Sequence, residues 1–148
     1  MECETIRWMS PELLNPGKFG FKKTRPTKES DCYSLGMVIY EILSRQTPFG
    51  RCTTSAAIWK VLDGERPERP GGDEGRLFTD AIWDMLEHCW KPHPRDRIKV
   101  KEVLLGLGGD VEADDQPDDG TGDLGTFLCS FYVYIRSSLG YCRSGDFR

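Results

Sequence analysis

Residues 31–43 read DCYSLGMVIYEIL, and nine of these thirteen residues are apolar. The apolar side chains fall all around a helical wheel rather than on one stripe, which indicates a helix buried on every side. Ser30 or Asp31 can cap its N-terminus. Thirteen residues are too few to span a bilayer, and Asp31 and Glu41 interrupt the run, so we predict a central core helix.

Shorter helices and no sheet are predicted around this central helix. Ser10 before Pro11 is typical of a helix start. Apolar residues at helical spacing predict further helices over 55–62, 79–90 and 100–107. Candidates for the N-caps of the first two are Thr53, Thr54, Ser55 and Thr79. The predicted fold class is therefore mainly α.

The composition divides the chain into a body, a linker and a tail. The 148 residues are 38% hydrophobic and 30% charged, which excludes collagen-like and fully disordered chains. Eight acids and no Lys or Arg lie in residues 102–135, whereas the chain as a whole has a net charge of −4. We expect a body over 1–107, a disordered acidic Gly/Asp linker over 108–126 and a tail over 127–148.

The tail contains an apolar run, FLCSFYVYI, at residues 127–135. Nine residues cannot cross a bilayer as a helix, and their aromatic and β-branched content favours a strand, with a disordered tail as the alternative. A strand-forming run without charge or proline is also a candidate for self-association.

Six cysteines are spaced irregularly and form no CxxC pair. This spacing indicates neither a zinc knuckle nor a disulfide framework, and Met1 is followed by Glu-Cys-Glu rather than a basic, apolar leader. Reduced thiols in a cytoplasmic or nuclear compartment are therefore expected. The acidic net charge argues against nucleic acid as a partner, and no membrane partner is expected.

Three patterns suggest chemistry but lack its context. GTGDLG at residues 120–125 fits GxGxxG, yet it has no flanking strand and helix and lies among acids that would repel phosphate. His93-Pro94-Arg95-Asp96 differs from a kinase HRD loop because a proline splits it and Lys101 stands where the magnesium ligand Asn would be. His88, Cys89 and His93 lack a fourth ligand at zinc-finger spacing.

Motifs in the body resemble the helical C-lobe of protein kinases of the tyrosine-kinase-like and Ser/Thr group. TIRWMSPEL at residues 5–13 resembles the end of the activation segment, with Ser10 in place of the alanine of Ala-Pro-Glu. DCYSLG at residues 31–36 resembles the Asp-x-Trp/Tyr-Ser-x-Gly that opens the large central helix of that lobe.

Later landmarks follow in the same order and at family-like spacing. They are TPF at 47–49, GERPERP at 64–70, Cys89-Trp90, Pro94 and Arg97. The resemblance covers residues 5–107 and implies a truncated kinase C-lobe.

The resemblance implies roles for several residues. Thr5, Trp8 and Met9 would belong to the substrate-docking loop, although core packing accounts equally well for Trp8 and Met9. Glu12 and Arg97 would form a structural ion pair that pins this loop to the helical base. Asp31 would support the catalytic loop, and the alternative for Asp31 is a plain N-cap.

Phosphoryl transfer needs a Gly-rich loop, a phosphate-binding lysine, a catalytic Asp, and Asp and Asn ligands for magnesium. The sequence contains no HRD or DFG. We therefore expect no catalytic, cofactor-binding or metal-binding residue here, although the intact family uses ATP and magnesium. The expected function is that of an inactive kinase-domain fragment, and the alternative is a non-catalytic docking or decoy module with a protein partner.

The central helix should need packing partners on every face. On the family resemblance some of these partners would come from elements outside the chain, so we expect the isolated chain to fold poorly.

Overall fold

The computed structural model describes residues 4–107. The predicted acidic linker over 108–126 and the tail over 127–148, with its expected strand, lie outside the described residues.

The described part of the chain contains five α-helices and four short 3₁₀ helices, joined by loops, and no β-strand. The α-helices are α1 Pro11–Leu14, α2 Lys28–Ser44, α3 Thr54–Leu62, α4 Asp80–Cys89 and α5 Val100–Gly106. The 3₁₀ helices are Glu4–Trp8, Pro16–Phe19, Gly72–Gly75 and Pro94–Asp96. The mainly α prediction is confirmed, and the 3₁₀ helices were not predicted.

The central helix α2 begins earlier than its apolar run. Its N-cap is Thr27, so the prediction of Ser30 or Asp31 as the cap is wrong. The Thr27 hydroxyl accepts from the Ser30 N–H at 3.2 Å, and the Ser30 hydroxyl accepts from the Thr27 N–H at 2.8 Å. This reciprocal capping box satisfies two backbone donors and lets the helix start at Lys28.

The middle of α2 is buried on every side. All six residues from Leu35 to Tyr40 are buried, and six consecutive residues go more than once around a helix. Within residues 4–107, α4, α5 and the 3₁₀ helices Glu4–Trp8 and Pro94–Asp96 contact α2. Poor folding of the isolated chain stays a prediction.

Helix α2 packs against α4 and α5. Gly36 permits a close approach to the end of α4, because a Cβ built there would lie 2.6 Å from Trp90 Nε1 and 2.8 Å from Cys89 Cβ. Beside this contact, Tyr40, Phe78, Trp83 and Trp90 form an aromatic cluster with centroid distances of 5.7–6.0 Å. These rings form a large part of the core.

The shorter helices have the caps that the sequence suggested. The hydroxyls of Thr53 and Thr79 accept from backbone N–H groups of Ala56 and Ile82, each at 3.3 Å. Helix α3 is followed by Gly64, whose φ of 89° is in the left-handed region that favours glycine. Within residues 4–107, no helix is both long and apolar enough to cross a bilayer.

The start of α5 lies beside the start of α2. The Cys32 thiol donates to the Ile98 carbonyl at 2.9 Å, and Arg97 donates to the Glu29 carbonyl at 2.9 Å. The segment before α5 is thereby placed next to α1, where the candidate site lies.

Candidate functional site

The segment from Thr5 to Glu12 passes from the surface into the core. Thr5 is exposed, Trp8 and Met9 are half-buried, and Ser10 and Glu12 are buried. Its first half is the 3₁₀ helix Glu4–Trp8 and its second half starts α1. The segment therefore has Thr5 at the surface, while Ser10 and Glu12 fix its other end in the core.

Trp8 is fixed to α2 through both its backbone and its side chain. The Ser34 hydroxyl donates to the Trp8 carbonyl at 2.9 Å, and the Trp8 indole N–H donates to Glu41 Oε2 at 3.1 Å. Two hydrogen bonds to one rigid helix define the position of this half-buried ring.

Arg7 ties the same segment to the loop after α2. Its guanidinium donates to the carbonyls of Phe49 at 2.6 Å and Cys52 at 2.8 Å, and more weakly to that of Pro48 at 3.4 Å. Arg7 lies in the motif at residues 5–13, but no role was predicted for it from the sequence. The sequence contained one signal for this contact: an arginine beside Trp8, and a Pro-Phe turn after the central helix whose carbonyls could accept from it.

Arg97 and Glu12 form a buried bidentate ion pair. Nη1 and Nη2 of Arg97 donate to Oε1 and Oε2 of Glu12, each at 2.7 Å, and the two residues are only 7% and 4% exposed. The remaining Arg97 donors bond to the carbonyls of Lys91, Glu29 and Pro92 at 2.9–3.2 Å. All five guanidinium N–H groups therefore have acceptors, which makes burial of the charge tolerable.

The charge state of Glu12 follows from this pairing. Burial raises the pKa of the Glu12 carboxyl, but the hydrogen bonds and positive charge of Arg97 outweigh burial, so the pKa lies below its usual value of 4.5. Glu12 is ionised at neutral pH and joins positions 85 residues apart in the chain.

A second arginine shares the surroundings of Arg97. The guanidinium carbons of Arg66 and Arg97 lie 5.3 and 5.1 Å from the centroid of the fully buried Tyr33 ring. Burial raises the pKa of Tyr33 to about 12, so its phenol stays neutral at physiological pH beside the two cations. Sequence reasoning missed Tyr33 and Arg66, although both lie in the motifs that it quoted.

Asp31 lies in the first turn of α2 and is half-buried. The alternative interpretation of Asp31 as an N-cap is wrong, because Thr27 has that position. The catalytic-loop role implied by the resemblance stays a prediction.

No metal centre forms within residues 4–107, where no group of three His, Cys, Asp or Glu residues could hold an ion. His88 Nδ1 contacts the Asp84 carbonyl at 2.6 Å, and His93 Nδ1 accepts from the Arg95 N–H at 3.3 Å. Both histidines thus make local backbone contacts at the end of α4 and in the loop after it.

A cleft of about 530 Å³ lies between the end of α2, the loop after it, and the segment 65–74. Its walls carry both signs of charge, because Arg51, Arg66 and Arg69 line the cleft together with Glu65, Glu68 and Glu74.

Comparison with known proteins identifies relatives of this helical body. A family model described as protein tyrosine and serine/threonine kinase matches residues 2–107. The putative neurotrophin receptor LTRK 1 of Lymnaea stagnalis is 29% identical over 110 residues, which are 74% of this chain and 12% of that protein. The mitogen-activated protein kinase kinase kinase 7 of Drosophila melanogaster is 32% identical over 101 residues, which are 66% of this chain and 13% of that protein.

A third relative is the putative serine/threonine-protein kinase/receptor R818 of Acanthamoeba polyphaga mimivirus, which is 30% identical over 105 residues. These residues are 71% of this chain and 6% of the viral protein. The chain thus spans roughly a tenth of the length of the curated relatives that it matches.

Proposed function

Because this chain belongs to the protein tyrosine and serine/threonine kinase family, we propose that its body is the substrate-side part of a kinase C-lobe and that the 148 residues alone transfer no phosphate. The proposal that the body is the substrate-side part of a C-lobe rests on the buried ion pair of Glu12 and Arg97, whose two hydrogen bonds are both 2.7 Å long. This pair locks the segment that bears Trp8 and Met9 onto the helical base.

The proposal that the 148 residues alone transfer no phosphate rests on the motifs of phosphoryl transfer, which this sequence does not contain. A phosphoryl-transfer site needs a base, a phosphate-binding lysine and magnesium ligands in fixed positions. The 148 residues include no HRD and no DFG, and their GxGxxG at 120–125 lies among aspartates. ATP and magnesium therefore belong, in this proposal, to the reaction of the family rather than to this stretch of chain.

Thr5, Trp8 and Met9 are the proposed contacts for a protein partner or substrate. Thr5 is exposed, and the half-buried Trp8 and Met9 leave part of their surfaces accessible. The bonds of Trp8 to Ser34 and Glu41 hold this surface in one position, which reduces the entropy cost of binding a peptide.

A phosphotransfer assay tests the inactivity. The full chain is incubated with magnesium and ATP labelled in the γ-phosphate, together with a mixed protein substrate. We expect no more incorporation than with a heat-unfolded sample of the same chain, while an intact family kinase assayed in parallel gives a signal. Incorporation above that background, and proportional to the amount of folded chain, would contradict the proposal.

The alternative function is a non-catalytic docking or decoy module of the cytoplasm or nucleus. The docking segment, defined as residues 5–12, is held by contacts of Arg7, Trp8 and Glu12 within residues 4–107. In this alternative, its surface therefore forms without a catalytic loop. Retention of substrate peptides on the immobilised full chain without ATP would support this function. Trp8→Ala should weaken retention, whereas Trp59→Ala, which changes a 67% exposed ring on α3, should not.

A further inference from the structure

A strongly basic loop lies between α1 and α2. The basic loop, defined as residues 18–28, contains five cations and no acid; the cations are Lys18, Lys22, Lys23, Arg25 and Lys28. The first 101 residues contain seventeen basic and fifteen acidic side chains, so outside the loop the acids outnumber the bases by three. The positive field of the body is therefore concentrated on this one loop.

Three of the cations have no partner in the described part of the chain. Lys22, Lys23 and Arg25 make no hydrogen bond or ion pair with residues 4–107. Every residue from Phe21 to Glu29 is exposed. The charges of these three side chains are thus available to an anionic partner.

Both ends of this stretch are anchored. At its start, the Phe21 N–H donates to the Pro16 carbonyl at 3.0 Å. At its end, Thr27 belongs to the capping box of α2, and Pro26 before it disfavours a helical conformation of Arg25. The three unpaired cations therefore stay close together, which lowers the entropy cost of binding a partner.

An exposed aromatic ring precedes the cations in the chain. Phe21 is 47% exposed and is directly followed by Lys22 and Lys23. Aromatic side chains are enriched where proteins bind each other, whereas an exposed charge pair alone contributes little binding energy. A partner that uses the whole surface should therefore have an apolar side chain beside its carboxylates.

The small size of the patch indicates which kind of anion it fits. Three cations within four positions match a short run of carboxylates. A nucleic acid or an anionic membrane presents negative charge over a much larger area, so it would also meet the excess of acids on the rest of the first 101 residues. A short acidic segment of a protein can bind the loop without this repulsion.

We propose that the basic loop at residues 18–28 is a docking site for a short acidic segment of a partner protein, with an apolar side chain of that segment on Phe21. The inference rests on the proposed role of the body in protein docking, and only residues 13–17 separate the loop from the docking segment. Complementary charge speeds association and selects acidic partners. A partner that holds both surfaces binds the second at a high effective concentration.

Fluorescence anisotropy with the full chain tests the site. The probe is a short, labelled, glutamate-rich peptide that contains one phenylalanine, and the reference probe has glutamine in place of every glutamate. At ~0.1 M salt we expect the acidic probe to bind about tenfold more tightly, as for three exposed charge pairs that together contribute ~1.4 kcal/mol. At ~1 M salt, where the Debye length is about 3 Å, the two affinities should become equal.

Two variants with the same change of net charge locate the bound probe. The loop variant removes the three unpaired cations, Lys22→Gln/Lys23→Gln/Arg25→Gln. The control variant removes three exposed cations outside the loop, Arg76→Gln/Lys91→Gln/Lys101→Gln. The loop variant should bind the acidic probe about tenfold more weakly than the natural chain, and the control variant should differ from it by less than about twofold. Far-UV circular dichroism checks that both variants keep their helices.

Failure of the loop site and failure of the docking segment give different results. The loop variant tests the loop through its affinity for the acidic probe, whereas Trp8→Ala tests the docking segment through retention of substrate peptides. Weaker binding of the acidic probe in the loop variant supports the loop site whatever the result for Trp8→Ala. Loss of the acidic probe in Trp8→Ala but not in the loop variant would overturn the loop site and assign the probe to the docking segment.

Three further outcomes would overturn the proposal. Equal affinity of the loop variant and the natural chain for the acidic probe shows that the loop does not bind it. Equal weakening in the control variant assigns binding to net charge. Tighter loop-dependent binding of a DNA duplex or of phosphatidylserine vesicles than of the acidic probe assigns the loop to a different class of anion.

Discussion

The Glu12 carboxylate is the partner on which the burial of Arg97 depends. Glu12→Gln leaves the 7% exposed Arg97 guanidinium without its countercharge and should lower the free energy of unfolding by about 3–5 kcal/mol. The control is the same chemical change at Glu65, which pairs with Lys60 at the surface, with an expected loss below ~1 kcal/mol. Urea unfolding measures both, and equal losses would contradict a structural role for the buried pair.

The same carboxyl predicts a dependence of stability on pH. Arg97 holds the pKa of Glu12 below its usual value of 4.5 in the folded chain, despite the opposing effect of burial. Its contribution is therefore complete above about pH 4.5 and is lost as the pH falls through the lower, folded value. In urea unfolding, the stability difference between the natural chain and Glu12→Gln should shrink from about pH 7 to pH 3. A difference of constant size across that range would contradict this assignment.

The sequence and its resemblance could name Glu12 and Arg97 because both occupy motif positions. Arg7 was not assigned a role, since its acceptors are the backbone carbonyls of Phe49 and Cys52, and the path of that loop is not encoded in any local pattern. Tyr33 was missed for a related reason. Its ring contacts two arginines that lie 33 and 64 residues further along the chain.

Among the helices, α2 and α4 depend on one glycine for their close contact. Gly36→Ala places a Cβ 2.6 Å from Trp90 Nε1 and 2.8 Å from Cys89 Cβ, so one of the helices must shift. We expect a loss of about 1–3 kcal/mol in thermal or urea unfolding, the usual cost of overpacking. Gly71→Ala is the matched control, because a Cβ there meets nothing within 4 Å. A loss at Gly71 as large as that at Gly36 would show that the effect is not steric.

The start of α2 shows where sequence patterns are insufficient. Apolar periodicity located the helix but placed its start near Asp31, three residues late. The first turn is polar and depends on the reciprocal bonds of Thr27 and Ser30, in which a serine takes the place of the usual Glu or Gln. The starts of α3 and α4 were better predicted, because Thr53 and Thr79 cap them through ordinary side-chain bonds.

For the full chain, the proposed lack of a nucleotide site predicts no stabilisation by ATP. A ligand at 100 times its dissociation constant would stabilise the folded form by about 2.7 kcal/mol, which a melting curve detects easily. We expect millimolar Mg-ATP to leave the melting temperature unchanged and titration calorimetry to show no saturable heat. Sodium chloride matched in ionic strength is the control, because salt also screens the surface charges of the chain. Saturable binding at micromolar ATP would contradict the proposal.

The apolar run at residues 127–135 predicts association of the full chain. FLCSFYVYI contains no charge and no proline and is rich in aromatic residues, so it has the composition of a segment that pairs with copies of itself. Val133→Lys puts a charge in the middle of this run and should reduce static light scattering, because pairing would bury that charge. Ser137→Lys adds the same charge just beyond Arg136, outside the run, and should leave the scattering unchanged. If both lysines reduced scattering equally, net charge rather than the apolar run would control association.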